Sequence, residues 1–416
     1  MAHENTTSRA ADWEEAPAER RFDWVTPVAM LVLAVAGVFF IRSAQAYTGG
    51  GLWKMQIIWI GLGIGVYALV SLVNYKILLE KAHWVYAAGL VLLLLVETPL
   101  GVEIYGSRRW IDLVFFRVQP SEIAKIAVLV MVASLLARSR VGDLRNSLRT
   151  LLKVALAAGI PMFLVFLQPD LGSTLVFPPL VFALLYVSKL SDRFFYVSFG
   201  LFALLLAVVA FDCYRYYQHA YVEPETAAGE AFPAAGERYE DRSILPLRDY
   251  QRDRILSFVV PDLVDPRGIG DSWNVNQSRI SIGSGGLVGK GWGNGTQALL
   301  GYLPPAVAHN DFIFAVLAEE KGFFGSVMAL ALYAVIILNG FRIAGLSRDR
   351  FGMLLAVGVS VLLLVHVFIN VGMTMGLTPV TGLPLPFMTY GGSFLLSCCV
   401  LQGLVQSVYR FRKDFS

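Results

Sequence analysis

Five carboxylates sit inside or at the edge of long apolar runs, and each has a polar or cationic residue close by. The segment AHNDFIFAVLAEEKGFFGS (308–326) opens on a polar cluster, with Asp311 at its mouth and Glu319 and Glu320 within the run. Ahead of a helix, a short acidic side chain can cap free backbone donors. The same carboxylate, partly desolvated at a membrane surface, can act as a general base toward a sugar hydroxyl. The two roles are compatible. On an unbroken helix Glu319 lies about 12 Å deeper than Asp311, at 1.5 Å per residue. A charge at mid-membrane costs at least ~2.5–3.5 kcal/mol, so both glutamates are expected to face protein or water. Lys321 is placed to neutralise one of them, and a buried pair that orients helices is the plainer reading there than catalysis.

The theme recurs. Glu122 and Lys125 in QPSEIAKIAVLV are three apart at the start of another run, an i,i+3 pair able to satisfy each other. Asp170 in QPDLGS follows a proline and opens a run, again as an N-cap or as a site residue. Arg108 and Arg109 precede Trp110 in GSRRWIDL. They suit headgroup contacts in an aromatic belt, or bidentate donation to phosphate. Lys290 in GLVGKGWGNGT is flanked by glycines that could aim backbone N–H groups at an anion, but the spacing is not that of a nucleotide loop. His309 and the other histidines are isolated from cysteine and from one another, so no zinc site is expected. Cys213, Cys398 and Cys399 imply packing, not a disulfide framework.

These residues need helices to hold them. The chain has 416 residues, 56% hydrophobic and 16% charged, with mean hydropathy +0.60. That excludes a soluble domain of this size and makes the net charge of +3 no sign of nucleic acid. An all-α polytopic membrane protein is expected, with about ten transmembrane helices near 25–45, 55–73, 83–100, 122–137, 151–168, 172–188, 194–212, 312–338, 352–373 and 393–409. Loop cations fall on one side: Arg20 and Arg21; Lys76 and Lys81; Arg138, Arg140, Arg145 and Arg149; Lys189 and Arg193; Arg342, Arg348 and Arg350; Arg410, Arg412 and Lys413. By the positive-inside rule both termini are then cytoplasmic, as tails 1–24 and 411–416 around a membrane domain 25–410. The first run lacks a cleavage site and is expected to be retained.

The opposite side receives 106–122, 168–173, a large extracytoplasmic loop 213–311 between helices 7 and 8, and 376–393. Within that loop, 219–247 is rich in Ala, Pro and Glu and reads as a flexible insertion. Residues 248–311 carry a glycine-rich, partly apolar pattern suited to close backbone packing. Carboxylates and cations on one face, above apolar walls, suit a substrate with a polar head, a phosphate and a lipid tail. A transported ion asks instead for ligands near mid-depth on broken helices.

Taken together, GSRRWIDL, QPSEIAK, QPDLGST, QSRISIGSGGLVGKGWGNGTQ, HNDFIFAVLAEEKGFFG and LPLPFMTYGGS resemble, in order and spacing over about 25–410, the SEDS family (shape, elongation, division and sporulation). The IGSGG and GKGWGNGTQ forms are closer to its elongation members than to its division members. The resemblance implies a peptidoglycan glycosyltransferase that polymerises lipid II outside the cytoplasmic membrane, with undecaprenyl pyrophosphate leaving. It also implies a class B penicillin-binding protein (a PBP2-like transpeptidase) as partner, and lipid II, undecaprenyl-linked glycan and membrane lipid as contacts, with no nucleic acid. By the same carry-over Asp311 is the catalytic base. Glu122, Lys125 and Asp170 support it, and Arg108, Arg109, Lys290 and His309 are candidates for holding substrate or pyrophosphate. A divalent cation, Mg or Mn, is a candidate cofactor. Asn310 stands where the family has Thr, LPPAVAH lacks the family's Glu before the His, and 219–247 has no counterpart. A division polymerase, a lipid II flippase and a scaffold for cell-wall enzymes are the competing readings.

Overall fold

The computed structural model describes residues 22–413, except 105–106, 113–116, 140–143, 189–191, 223–242, 244, 246, 266, 269 and 271. The expected tails therefore lie almost wholly outside the described residues, as do Arg20, Arg21, Arg140, Lys189 and most of 219–247. Helices follow wherever about 20 apolar residues run without proline or a charge cluster. They are α1 (Val25–Ala44), α2 (Leu52–Leu72), α3 (Lys76–Val96), α4 (Pro120–Arg138), α5 (Leu144–Leu167), α6 (Leu171–Val187) and α7 (Asp192–Tyr217), which runs on into a π-helical turn, Gln218–Val222. Within the large loop lie α8 (Asp249–Val259) and α9 (Trp273–Ser284), and after it come α10 (Ile313–Leu346), α11 (Arg350–Met375) and α12 (Gly392–Phe411). Among the described residues nine helices are long and apolar enough to cross a membrane, and α6 is a shorter apolar one. That gives ten, as expected.

The centre of the bundle is α4 and α11, each 72% buried along its apolar stretch, whereas α7 is 6% buried and stands at the rim. One core cluster packs α3 to α6 against α11 and α12. A second joins α1, the start of α10 and the segment 385–388. The adjacent cysteines 398 and 399 are buried there. The described cations of the positive set lie at helix ends away from the large loop. We call the opposite end, where α1 and α11 finish, the loop end.

Two features depart from expectation. Residues 101–118 form a three-stranded antiparallel sheet, β1 (Gly101–Ile104), β2 (Ser107–Asp112) and β3 (Arg117–Val118), with Val102 opposite Trp110 and Ile111 opposite Val118. So the fold is not wholly α. The larger departure is in α10, which is broken at Gly322 (φ 63°, ψ −159°), a conformation open essentially to glycine alone.

The break reverses the chain. Beyond it α10 runs antiparallel to α1, with Asn339 bonded to Thr26 at 2.7 Å. Against α11, Gly340 packs on Ser360, so Asn370 stands level with about residue 330, roughly 12 Å below Gly322. Asn370 bonds the Asp311 carbonyl at 2.8 Å, whereas Glu320 bonds Ser43, next to the last residue of α1. Residues 313–321 therefore climb toward the loop end before the spanning part descends. Asp311 is the deep residue, and Glu319 and Glu320 lie near the loop end, the reverse of the order an unbroken helix gives.

Candidate active site

Asp311 ends a short descent through Pro305–Ala308 and lies just ahead of α10. It does not cap that helix: the N-cap is Phe312, with no side-chain bond. The carboxylate is half-buried. No described residue donates a hydrogen bond to it. Burial pushes its pKa up to about 6, opposed by the guanidinium charges of Arg254 and Arg109 and reinforced by Asp170. A carboxylate so placed is ionised at neutral pH and retains the basicity to accept a proton.

The peptides around it are held tightly. Tyr390 N–H donates to His309 O at 3.2 Å, Thr389 Oγ1 to Asn310 O at 3.3 Å, and Asn370 Nδ2 to Asp311 O at 2.8 Å. The donors come from α11 and from the 376–391 connection, which folds back into the bundle with Leu385 and Met388 fully buried. Gly37 of α1 allows this, since a Cβ there would meet Met388 O at 2.6 Å. His309 is bonded through Nδ1 to Pro305 O at 2.8 Å and faces the Tyr390 ring. Its burial lowers the imidazole pKa, so the ring is neutral and Nε2 is an acceptor.

Asp170 is the N-cap of α6, accepting from Ser173 N–H at 3.1 Å. It also accepts from Gln119 Nε2 at 3.1 Å and Ser121 Oγ at 3.3 Å, tying the QPSE and QPDLG segments together. Arg109, on β2, donates to the carbonyls of Gln168 (3.2 Å) and Pro169. It holds that corner while its charge reaches Asp311. Arg108 is half exposed, with Glu103 at 3.7 Å. Glu122 and Lys125 pair at 2.7 Å, both buried, as the spacing predicts. Lys125 also lies 3.0 Å from His366 Nε2, whose Nδ1 is bonded to Leu362 O, so Nε2 accepts from the ammonium.

Lys290 is elsewhere. Its ammonium pairs with Glu319 at 2.6 Å, and Thr296 Oγ1 and Gln297 N–H also donate to that carboxylate, at 2.9 and 3.1 Å. The backbone N–H groups of Lys290 and Gly291 cap the carbonyls of Glu319 and Glu320 at the top of the climbing half-helix, both at 3.0 Å. On the other side of the break, Phe323 and Phe324 N–H donate to Gly286 and Leu287 carbonyls. The glycine-rich loop thus fills the helix break and is not a nest for an anion. Lys321, the neutralising partner expected from sequence, is exposed.

Sequence reasoning also missed a polar cavity of about 370 Å³ between α8, α9 and residues 376–380, lined by Arg254, Arg267, Arg279, Ser257 and Asn276. No ion-pair partner is found for these arginines among the described residues. By contrast Arg252, two residues from Arg254, is wholly buried and spent on Asp212 (2.9 Å) and Asp249 (3.2 Å). The available signal was the pair of arginines in QRDRILSF, one of which needs an acid and one of which does not. Among the described residues no group of three or more His, Cys, Asp or Glu side chains is arranged to hold a metal. A magnesium bound by one or two carboxylates and substrate phosphates would need none.

Fold and site define a polytopic helical membrane protein with a polar site below its loop end, where a basic carboxylate stands within reach of the Arg254 and Arg109 charges. Residues 23–235 and 242–414 match the model of the FtsW/RodA/SpoVE cell cycle proteins, and the chain belongs to that family. It is 35% identical over 388 residues to the peptidoglycan glycosyltransferase MrdB of Escherichia coli K12, covering 93% of each chain. The crystal structure of the rod shape determining protein RodA of Thermus thermophilus superposes with a TM-score of 0.64 at 26% identity, over 96% of this chain and all of that one. A chain from a peptidoglycan synthase complex, solved for its coordination of polymerization and crosslinking, gives 0.69 at 29% identity over 95% of this chain and 99% of that one.

Proposed function

We propose that the protein is a peptidoglycan glycosyltransferase that polymerises lipid II into glycan strands during elongation of rod-shaped cells. Asp311 takes the proton of the GlcNAc 4-hydroxyl of one lipid-linked unit. That oxygen attacks the MurNAc anomeric carbon of the growing strand, the C1–O bond to pyrophosphate breaks, and the electron pair leaves with undecaprenyl pyrophosphate. An α-linked pyrophosphate becoming a β-1,4 bond requires inversion, so a single in-line displacement with a single base suffices and no covalent enzyme intermediate is needed. The observation that carries the reading is Asp311 itself: half-buried, accepting no hydrogen bond from a described residue, and flanked by the charges of Arg254 and Arg109.

Charge develops on the leaving pyrophosphate, and Arg254, Arg267 and Arg279 supply cations where it would go. They replace Lys290 in that role, since Glu319 holds its ammonium. A divalent cation, if used, would bring charge neutralisation to the pyrophosphate. The site faces the outside of the bacterial cytoplasmic membrane, with both termini of the domain 25–410 inside, a reading the cation distribution supports. A class B penicillin-binding protein is the partner that crosslinks the product. Production of glycan ladders from fluorescent lipid II by purified protein and partner, with penicillin present, tests this reading. Movement of lipid II across vesicles without new glycosidic bonds would favour a flippase.

A further inference from the structure

Asn370 is wholly buried on α11, five residues from the helix end, with the buried polar side chains of His366 and Thr374 one turn away on either side. Its Nδ2 uses both hydrogens, one to Asp311 O at 2.8 Å and one to Leu383 O at 2.7 Å. It therefore ties the Asp311 peptide to the returning segment 376–391. Thr389 does the same for the preceding peptide: its hydroxyl donates to Asn310 O at 3.3 Å and accepts from Leu385 N–H at 2.7 Å. The start of α10 offers Asn310 O only the long Ile313 N–H bond at 3.4 Å, and among the described residues no backbone N–H reaches Asp311 O, so without Asn370 and Thr389 these part-buried carbonyls lose their shorter partners. Among the described residues the Asp311 side chain has no hydrogen-bond partner of its own. Its aim is set wholly by its backbone.

We infer that Asn370 and Thr389 are positioning residues for Asp311, fixing its peptide so that the carboxylate stays half-buried and directed at the incoming hydroxyl. This rests on the reading of Asp311 as the base. The charged and titratable groups facing Asp311 are Arg254 from α8, Arg109 from β2 and Asp170 ahead of α6, with His309 two residues upstream. None is touched by changing Asn370 or Thr389. Loss of the tether should let water reach the carboxylate, so its pKa falls toward the ordinary value. The acid limb of the pH–rate profile then moves to lower pH while kcat drops because the base is misdirected.

The test is glycan polymerisation by the full chain with fluorescent lipid II, measured from pH 4.5 to 8 for wild type, Asn370→Ala, Thr389→Val, Thr389→Ser and Asp311→Asn, with thermal unfolding in detergent as a check on folding. Expected are a kcat loss of about 10–100-fold for Asn370→Ala with little change in KM, an acid limb shifted downward, and near wild-type behaviour for Thr389→Ser but not Thr389→Val. Should Asn370→Ala not fold, the two Thr389 variants carry the comparison. A folded Asn370→Ala or Thr389→Val with an unmoved acid limb overturns the inference, even if its rate is reduced. If Asp311→Asn still polymerises, the base assignment fails and takes the inference with it. An inactive Asp311→Asn with an unmoved limb in the tether variants leaves the base standing and removes only the tether.

Discussion

At the scale of residues, what separates Asp311 from the other acids is that no described residue consumes it. Asp170 spends its oxygens on Ser173, Gln119 and Ser121, Glu122 is held by Lys125, and Glu319 by Lys290. Raised to about 6 by burial, Asp311 is protonated in the fold at pH values where it is ionised in the unfolded chain. The native state thus binds more protons between the ordinary carboxylate pKa and 6, and stability falls as pH rises through that window. Asp311→Asn is therefore expected to raise the unfolding temperature above pH 6, with the gain shrinking toward pH 4, while abolishing activity. A scan of unfolding temperature against pH checks this. Residue types and spacing found the acids, and only the family resemblance singled out Asp311 among them. The Glu122–Lys125 pair was legible because both members lie on one helix at i,i+3. Lys290 with Glu319 was not, because 29 residues separate them and the partner nearest in sequence, Lys321, points to the outside.

At the scale of elements, the break in α10 does most to shape the site. A hydropathy run reads 312–338 as one descending span, since Gly322 is apolar enough to pass and its φ of 63° leaves no mark in composition. The register against α1 and α11 is what turns 313–321 upward and sends Asp311 down. Two predictions follow from this geometry. Gly322→Ala places a Cβ 2.4 Å from Gly289 N and 2.7 Å from Leu287 O on top of a strained backbone. The backbone term alone costs about 1–3 kcal/mol, so polymerisation should be lost along with much of the protein's yield in membranes. Lys290→Ala leaves a fully buried Glu319 without its cation. A stability loss of about 3 kcal/mol is expected, at the low end for a broken buried pair because Thr296 and Gln297 still donate. Lys290→Arg should recover part of it, read as the shift in detergent unfolding temperature.

At the scale of the whole molecule, ten apolar helices and one loop end were readable because the bilayer sets span length and forces intervening charges to the ends. The β-sheet at 101–118 was not, since its strands are two to six residues long and carry a mixed pattern. Nor was the polar cavity, which is lined by Asp262 and Asp265 as well as the three arginines and takes its residues from α8, α9 and the 376–380 connection, more than a hundred positions apart. With Arg254→Ala and Arg279→Ala together, the account expects polymerisation to fall while the chain still folds, since neither side chain has an ion-pair partner to strand among the described residues. The central claim is that this assembly joins lipid-linked sugars with Asp311 as base, and the most direct measurement is the gel of glycan products. Purified protein with its crosslinking partner, fluorescent lipid II and penicillin should give ladders for wild type and none for Asp311→Ala or Asp311→Asn, a loss of about 10²–10⁴ in rate. Ladders of wild-type intensity from a folded Asp311→Ala would contradict the account.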